Sequence, residues 1–556
     1  MPTNIEIEHP TLAANPLVGI RRRDVLDSAR KLVGEMARNP RVAGRQYLTL
    51  MRELGRIATG RSELLPNEND RRFADTAWRE SGPYRLLAQS YLAWGNALDE
   101  FVARAKMDKR DAQRARFVVS LFVNAMAPTN TLAGNPAALK HALDTGGASL
   151  LRGLENFVSD LAKNGGLPAQ VDQRKFAVGK NLATTEGSVI FRNSVLELIQ
   201  YRPLAQQVHK RPLLIVPPQI NKYYAFDLSP EKSIVRFALQ GGLQVFVASW
   251  KNPTPAEGDF GLDAYVEALE EAIDAMREIT RSPDVNIWGA CSGGITMSAL
   301  LGHLASRKQR KIRSATLAVC LLDMATIEAT TAGAFATPKA VAAAKRASRS
   351  KGMLEGRQLA RMFAWMRSND LVWNYWVNNY LMGNAPPAFD VLYWNSDTTR
   401  LPAKLHADFL DLIESDPFVN PGRLKVRGKP LDMRKVDLEA YVVAGTTDHI
   451  TPWQGCYSSA KLFGARSRFV LANSGHIQTL INPPGNRKAE FHVRPAREKS
   501  AAQWLEKAAQ HEGSWWPDWL AWIKKRSGAL VISPAALGSL DHRPLCDAPG
   551  LYVMEK

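Results

Sequence analysis

The chain has 556 residues and a mass of 61.5 kDa, room for more than one domain and a large core, which excludes a peptide or a bare linker. With 45% apolar and 23% charged residues it lies within the folding range, outside the composition of disordered chains. A net charge of +18 favours anionic partners such as nucleic acid, phosphorylated small molecules or acidic lipid, and four scattered cysteines exclude a disulfide framework and point to a reducing cytosol.

Met1 to Pro10 carries Glu6 and Glu8 and lacks the basic-then-apolar run of a secretory signal, and no stretch is apolar for long enough to span a membrane. Residues 1–175 read as a mainly helical, basic N-terminal domain: apolar positions recur at three- and four-residue spacing, with breakers such as Gly134-Asn135-Pro136 between segments. Residues 176–556 read as a second, catalytic domain. From Arg211 the rhythm changes to short β-branched runs: Leu213 to Val216, Leu243 to Ser249, Val285 to Trp288, Ala315 to Cys320, Ala440 to Ala444 and Arg468 to Leu471. These predict buried parallel strands. The stripe Leu262, Tyr265, Val266, Leu269, Ile273 and Met276 predicts a helix laid on them. Alternating strands and helices predict an α/β sheet covered on both faces. From about 325 to 437 the alternation breaks into a helical insertion with Trp365, Trp373, Trp376 and Trp394, which predicts a cap over the strand ends. A second aromatic cluster, Trp515, Trp516, Trp519 and Trp522, follows near the C-terminus.

The chemistry concentrates at Gly289-Ala290-Cys291-Ser292-Gly293-Gly294, which follows one predicted strand and opens a helix. This is a nucleophile elbow with Cys in place of Ser: small neighbours permit the tight turn, and the helix N-terminus attracts a thiolate. A buried cysteine in a glycine-rich turn would give the same string, but two later loops supply partners in the chain order nucleophile, acid, histidine. Asp448 follows Ala440 to Ala444 through Gly445-Thr446-Thr447, and His476 follows Arg468 to Leu471 through Asn473-Ser474-Gly475. Both stand just past the C-terminal ends of strands, where such sheets place their sites. His449 is the rival base and reads as supporting. The loop Pro217-Pro218-Gln219-Ile220-Asn221 stands where this fold supplies one oxyanion-hole amide, taken as Ile220, with Ser292 supplying the other. Cys320 reads as a small core residue. The run Lys339 to Arg367 holds eight Lys or Arg against Glu355 alone and reads as a solvated helical face or as an attractor for substrate phosphates. No CxxC pair suggests zinc, no metal or resident cofactor is expected, and no nucleic-acid recognition motif is present.

These residues resemble the polyhydroxyalkanoate (PHA) synthases, and most closely the class II, medium-chain-length type. The resemblance rests on Val178-Gly179-Lys180-Asn181-Leu182-Ala183-Thr184-Thr185, Val216 to Tyr224, Gly289 to Gly294, Asp448-His449-Ile450-Thr451-Pro452-Trp453, Ser474-Gly475-His476-Ile477-Gln478 and Asp547-Ala548-Pro549-Gly550. It implies an α/β-hydrolase fold with a helical cap, and an acyltransferase that polymerises (R)-3-hydroxyacyl-CoA into polyester with release of coenzyme A. It also implies Cys291, Asp448 and His476 as catalytic residues, a homodimer, and a cytoplasmic location at the surface of polyester granules. In the class II pattern Ser is more usual at the position of Cys320, which with Gln478 is expected near the acyl pocket. Two other readings stand beside it: a thioesterase or polyester depolymerase using the same triad, and a non-catalytic basic protein binding granules or nucleic acid.

Overall fold

The computed structural model describes residues 17–19, 22–68, 70–325, 331–464 and 466–556; the reading of Met1 to Pro10 lies outside them. Helices occupy the N-terminal part, chiefly Arg22–Arg38, Pro40–Ala58, Gly82–Arg104, Lys109–Ala125, Pro136–Asp144 and Ala148–Lys163. An eleven-stranded sheet follows: β1 (Gly187–Arg192), β2 (Leu196–Tyr201), β3 (Leu213–Val216), β4 (Val245–Trp250), β5 (Val285–Ala290), β6 (Ile312–Ala318), β7 (Glu439–Gly445), β8 (Arg468–Ala472), β9 (Glu490–Pro495), β10 (Ala509–Glu512) and β11 (Cys546–Asp547). The spatial order is β10-β9-β8-β7-β6-β5-β3-β4-β2-β1-β11.

The central strands β4, β3, β5, β6, β7 and β8 are parallel and almost wholly buried, as expected of Val/Ile/Leu/Ala runs with helices on both faces. On one face lie the helix Leu262–Thr280, whose six predicted stripe residues are all buried, and the helix Cys291–Ser306. On the other lie Ile234–Gln240 and the helix Trp516–Lys524, where Trp515 and Trp519 pack on Trp288, Trp519 at 4.8 Å between ring centroids. The sheet begins earlier than the change of rhythm at Arg211 indicates. Strands β1 and β2 form an antiparallel hairpin ahead of it, and β11 closes the edge beside β1. Strand β6 ends at Ala318, not at Cys320: Val319 turns the chain with φ +44°.

Between β6 and β7 the chain is mostly helical, including Pro338–Lys351, Gly356–Met366 and Ala403–Ser415. The N-terminal helices pack on this insertion. Phe117 meets Phe335, Phe157 meets Trp376 and Tyr380, and Arg110 donates to the carbonyls of Gly333, Ala334 and Ala336. Trp376 therefore faces the N-terminal helices, with Trp373 packed against it, and of the four insertion tryptophans only Trp394 lines the cavity described below. No helix among the described residues is long and apolar enough to cross a membrane.

Candidate active site

Strand β5 passes into the helix Cys291–Ser306 without an intervening loop, which places Cys291 on the turn itself. Its φ of +48° lies in the left-handed region, at a cost of about 1–2 kcal/mol for a residue with a Cβ. The glycines around it are there for close approach: a Cβ on Gly293 would stand 2.3 Å from the Pro217 carbonyl oxygen, and one on Gly289 2.6 Å from the Gly294 Cα.

Asp448 follows β7, and His476 opens the short helix His476–Leu480 after β8. The Asp448 carboxylate accepts four hydrogen bonds. One oxygen takes the amides of Ile450 (2.8 Å) and Thr451 (2.9 Å), the other the Thr451 hydroxyl (2.6 Å) and His476 Nδ1 (2.7 Å). Its side chain is fully buried, and all four lone-pair positions are used. Burial alone would raise the Asp448 pKa, but the imidazole and these donors hold it below the usual carboxylate range. For His476, burial opposes the charged form, yet the Asp448 carboxylate and the nearby Cys291 side chain push it up to about 10. Asp448 is thus bonded to His476, and His476 shares its surroundings with Cys291. His449 behaves oppositely: burial, reinforced by Arg367, pushes it down to about 4 against the pull of Asp448.

The loop after β3 is held from three sides. The elbow helix takes Gln219, whose amide donates to the Ser292 hydroxyl (3.1 Å) and whose side chain donates to Thr296 (2.9 Å). The insertion takes the next residues: Thr399 bonds the carbonyls of Gln219 (2.6 Å) and Ile220 (3.2 Å), and Trp394 Nε1 donates to the Lys222 carbonyl (2.7 Å). The C-terminal segment takes Lys222, whose buried ammonium donates to the Glu555 carbonyl while the Glu555 carboxylate accepts from the Asn252 amide. The Gln219 amide is therefore occupied, and those of Ile220 and Asn221 have no acceptor among the described residues. The elbow helix has no side-chain cap, so its first-turn amides, that of Ser292 included, lack an intrahelical acceptor.

Cys291, Ser292, Ile220, His449, His476 and Gln478 all line a cavity of about 510 Å³ whose wall is otherwise mostly apolar. Cys320 does not line it; it is buried behind the elbow, against Gly294. Of the basic run only Arg367 reaches the cavity, while Lys345 pairs with Asp411. Sequence reasoning missed Thr451 and Lys222. The first was legible as an Asx turn, an Asp followed by amides two and three residues on; the second has no local signal.

The fold and this strained elbow define an α/β-hydrolase-type protein with a cysteine at the nucleophile position. Residues 69–238 match the poly-beta-hydroxybutyrate polymerase (PhaC) N-terminus family, and residues 229–483 match the alpha/beta hydrolase fold family. The chain is 49% identical to poly(3-hydroxyalkanoate) polymerase 1 of Ectopseudomonas oleovorans, across 98% of this chain and 97% of that one. It is 49% identical to polymerase 2 of the same organism, across 98% of each, and 41% identical to the poly(3-hydroxyalkanoate) polymerase subunit PhaC of Cupriavidus necator, across 90% and 85%. The chain belongs to the poly(3-hydroxyalkanoate) polymerase family.

Proposed function

We propose that this chain polymerises medium-chain (R)-3-hydroxyacyl-CoA into polyester through a thioester on Cys291. The observation that carries the reading is the Asp448-bonded His476 beside Cys291 at the wall of an apolar cavity in a member of this family. His476 takes the thiol proton, the thiolate attacks the substrate thioester carbonyl, and coenzyme A leaves with that proton. The amides of Ser292 and Ile220 bind the oxyanion, an interaction worth about 3 kcal/mol. The 3-hydroxyl of one unit then attacks the thioester of another, with His476 again as base. Asp448, with every lone pair engaged, orients His476 instead of meeting the hydroxyl itself.

Thioester exchange is nearly neutral in energy, so the cysteine keeps the acyl group activated and the ester-forming step runs downhill. Water would waste that activation, and the insertion over the cavity opposes its entry. Coenzyme A arrives with the substrate and leaves as product, and the reaction uses no metal or resident cofactor. Its phosphates suit the positive charge of the chain. The growing polyester is apolar, which favours work in the cytoplasm at a granule surface, and the resemblance to PHA synthases implies that the chain works there as a homodimer. The test follows coenzyme A release, polymer and free acid from (R)-3-hydroxydecanoyl-CoA with the intact chain and Cys291→Ala. Polymer that vanishes with Cys291 is expected. Free hydroxy acid in its place would indicate a thioesterase or depolymerase, and no turnover at any acyl length a binding protein.

A further inference from the structure

Part of the cavity wall comes from an unexpected place. Leu17, ahead of the first N-terminal helix, lines the cavity together with Met324, Phe363, Phe409 and Ile413, and packs against the same hydrophobic core as the sheet. Its backbone is tied down: the Leu17 carbonyl lies 2.8 Å from Nε2 of His406, whose Nδ1 lies 2.8 Å from the Ser348 hydroxyl. A carbonyl only accepts, so Nε2 carries the proton; the single hydrogen of the Ser348 hydroxyl has both Nδ1 (2.8 Å) and the Lys345 carbonyl (3.1 Å) within reach, and the shorter bond is the one to Nδ1 of the neutral ring. His406 is fully buried, and burial holds its pKa below the ordinary imidazole value, in keeping with that neutral tautomer. His406, Phe409 and Ile413 are spaced i, i+3, i+7 along the helix Ala403–Ser415. One face of that helix therefore both fixes the Leu17 backbone and supplies two further residues of the same wall.

We infer that Leu17 is a specificity-determining residue, whose side chain limits the length of acyl chain the cavity holds and whose position His406 sets. This rests on the reaction proposed above. Shortening Leu17 opens apolar space bounded by Phe409 and Ile413, and enlarging it closes that space. One methylene of fit in an apolar pocket discriminates by about tenfold or more, so the effect is readable in product composition.

The experiment offers the full-length chain an equimolar mixture of (R)-3-hydroxyoctanoyl-CoA and (R)-3-hydroxytetradecanoyl-CoA and measures the ratio of the two units in the polymer. Leu17→Ala is expected to raise the share of the longer unit about tenfold relative to the parent, and Leu17→Trp to lower it. His406→Leu, which removes the tie, is expected to shift composition the way Leu17→Ala does, and to add nothing when combined with it. Polymer of parental composition from both Leu17 variants would overturn the inference while leaving the proposed reaction standing. Absence of polymer from the parent chain itself would overturn the reaction and this inference with it.

Discussion

Replacing Asp448 by Asn separates the two duties a carboxylate could have at this site. The oxygen that takes the Ile450 and Thr451 amides at 2.8 and 2.9 Å has an equivalent in Asn, so the turn is retained. The oxygen 2.7 Å from His476 Nδ1 becomes an NH2 group, a donor where an acceptor stood. The ring must then present its lone pair at Nδ1 and carry its proton on Nε2, so an N–H and not a base faces Cys291. A wrong tautomer of this kind costs about 10⁴-fold, or about 5 kcal/mol of transition-state stabilisation. Rapid-quench measurement of the first equivalent of coenzyme A, compared with steady-state polymer growth, reads acylation and elongation separately. Both are expected to fall together in Asp448→Asn. First-turnover release at the parental rate with elongation lost would refute the orienting role and put Asp448 on the attacking hydroxyl.

Three further outcomes follow from the geometry. The left-handed backbone at Cys291 makes Cys291→Gly more stable than Cys291→Ala by about 1 kcal/mol, both without coenzyme A release, and equal denaturation midpoints would mean that the elbow stores no strain. Gly293→Ala drives a methyl to within 2.3 Å of the Pro217 carbonyl and 2.5 Å of that of Val216, so it is expected to cost about 3 kcal/mol or to prevent folding; a stable, active variant would contradict the packing. The raised pKa of His476 gives stability that is complete below about 6.5, its unfolded value, and is lost as pH rises through about 10. Asp448, held low, gives stability present above about 4 and lost as pH falls. Thermal midpoints across pH should therefore decline on both sides, and both slopes should flatten in Asp448→Asn.

The site was more legible in the sequence than the frame around it. The elbow and the two partner loops are local strings, each following a run of buried β-branched residues, so Cys291, Asp448 and His476 could be read one turn at a time. The parallel strands were readable for the same reason, to within a few residues at their ends. The hairpin β1–β2 and the strands β9 and β10 carry mixed, partly polar sequences toward the edges of the sheet, such as Ala509–Glu512, which is exposed throughout, and so give no apolar run to find. The insertion tryptophans were recognisable as a cluster, but which of them faces the N-terminal helices depends on tertiary packing. Leu17 and Lys222 owe their places to His406 and Glu555, hundreds of residues away, and no pattern within a window of chain could reveal either.

The hold that the C-terminal segment keeps on Lys222 bears on how the protein comes to be made. A chain growing from its N-terminus has the cysteine, the carboxylate and the imidazole by residue 476, and its first strand soon after residue 187. That strand waits for Cys546–Asp547 to cover its outer edge, and the loop beside the nucleophile waits for Glu555. The reactive groups therefore exist well before their surroundings are finished, and the loop beside the nucleophile is secured only once residue 555 has been made.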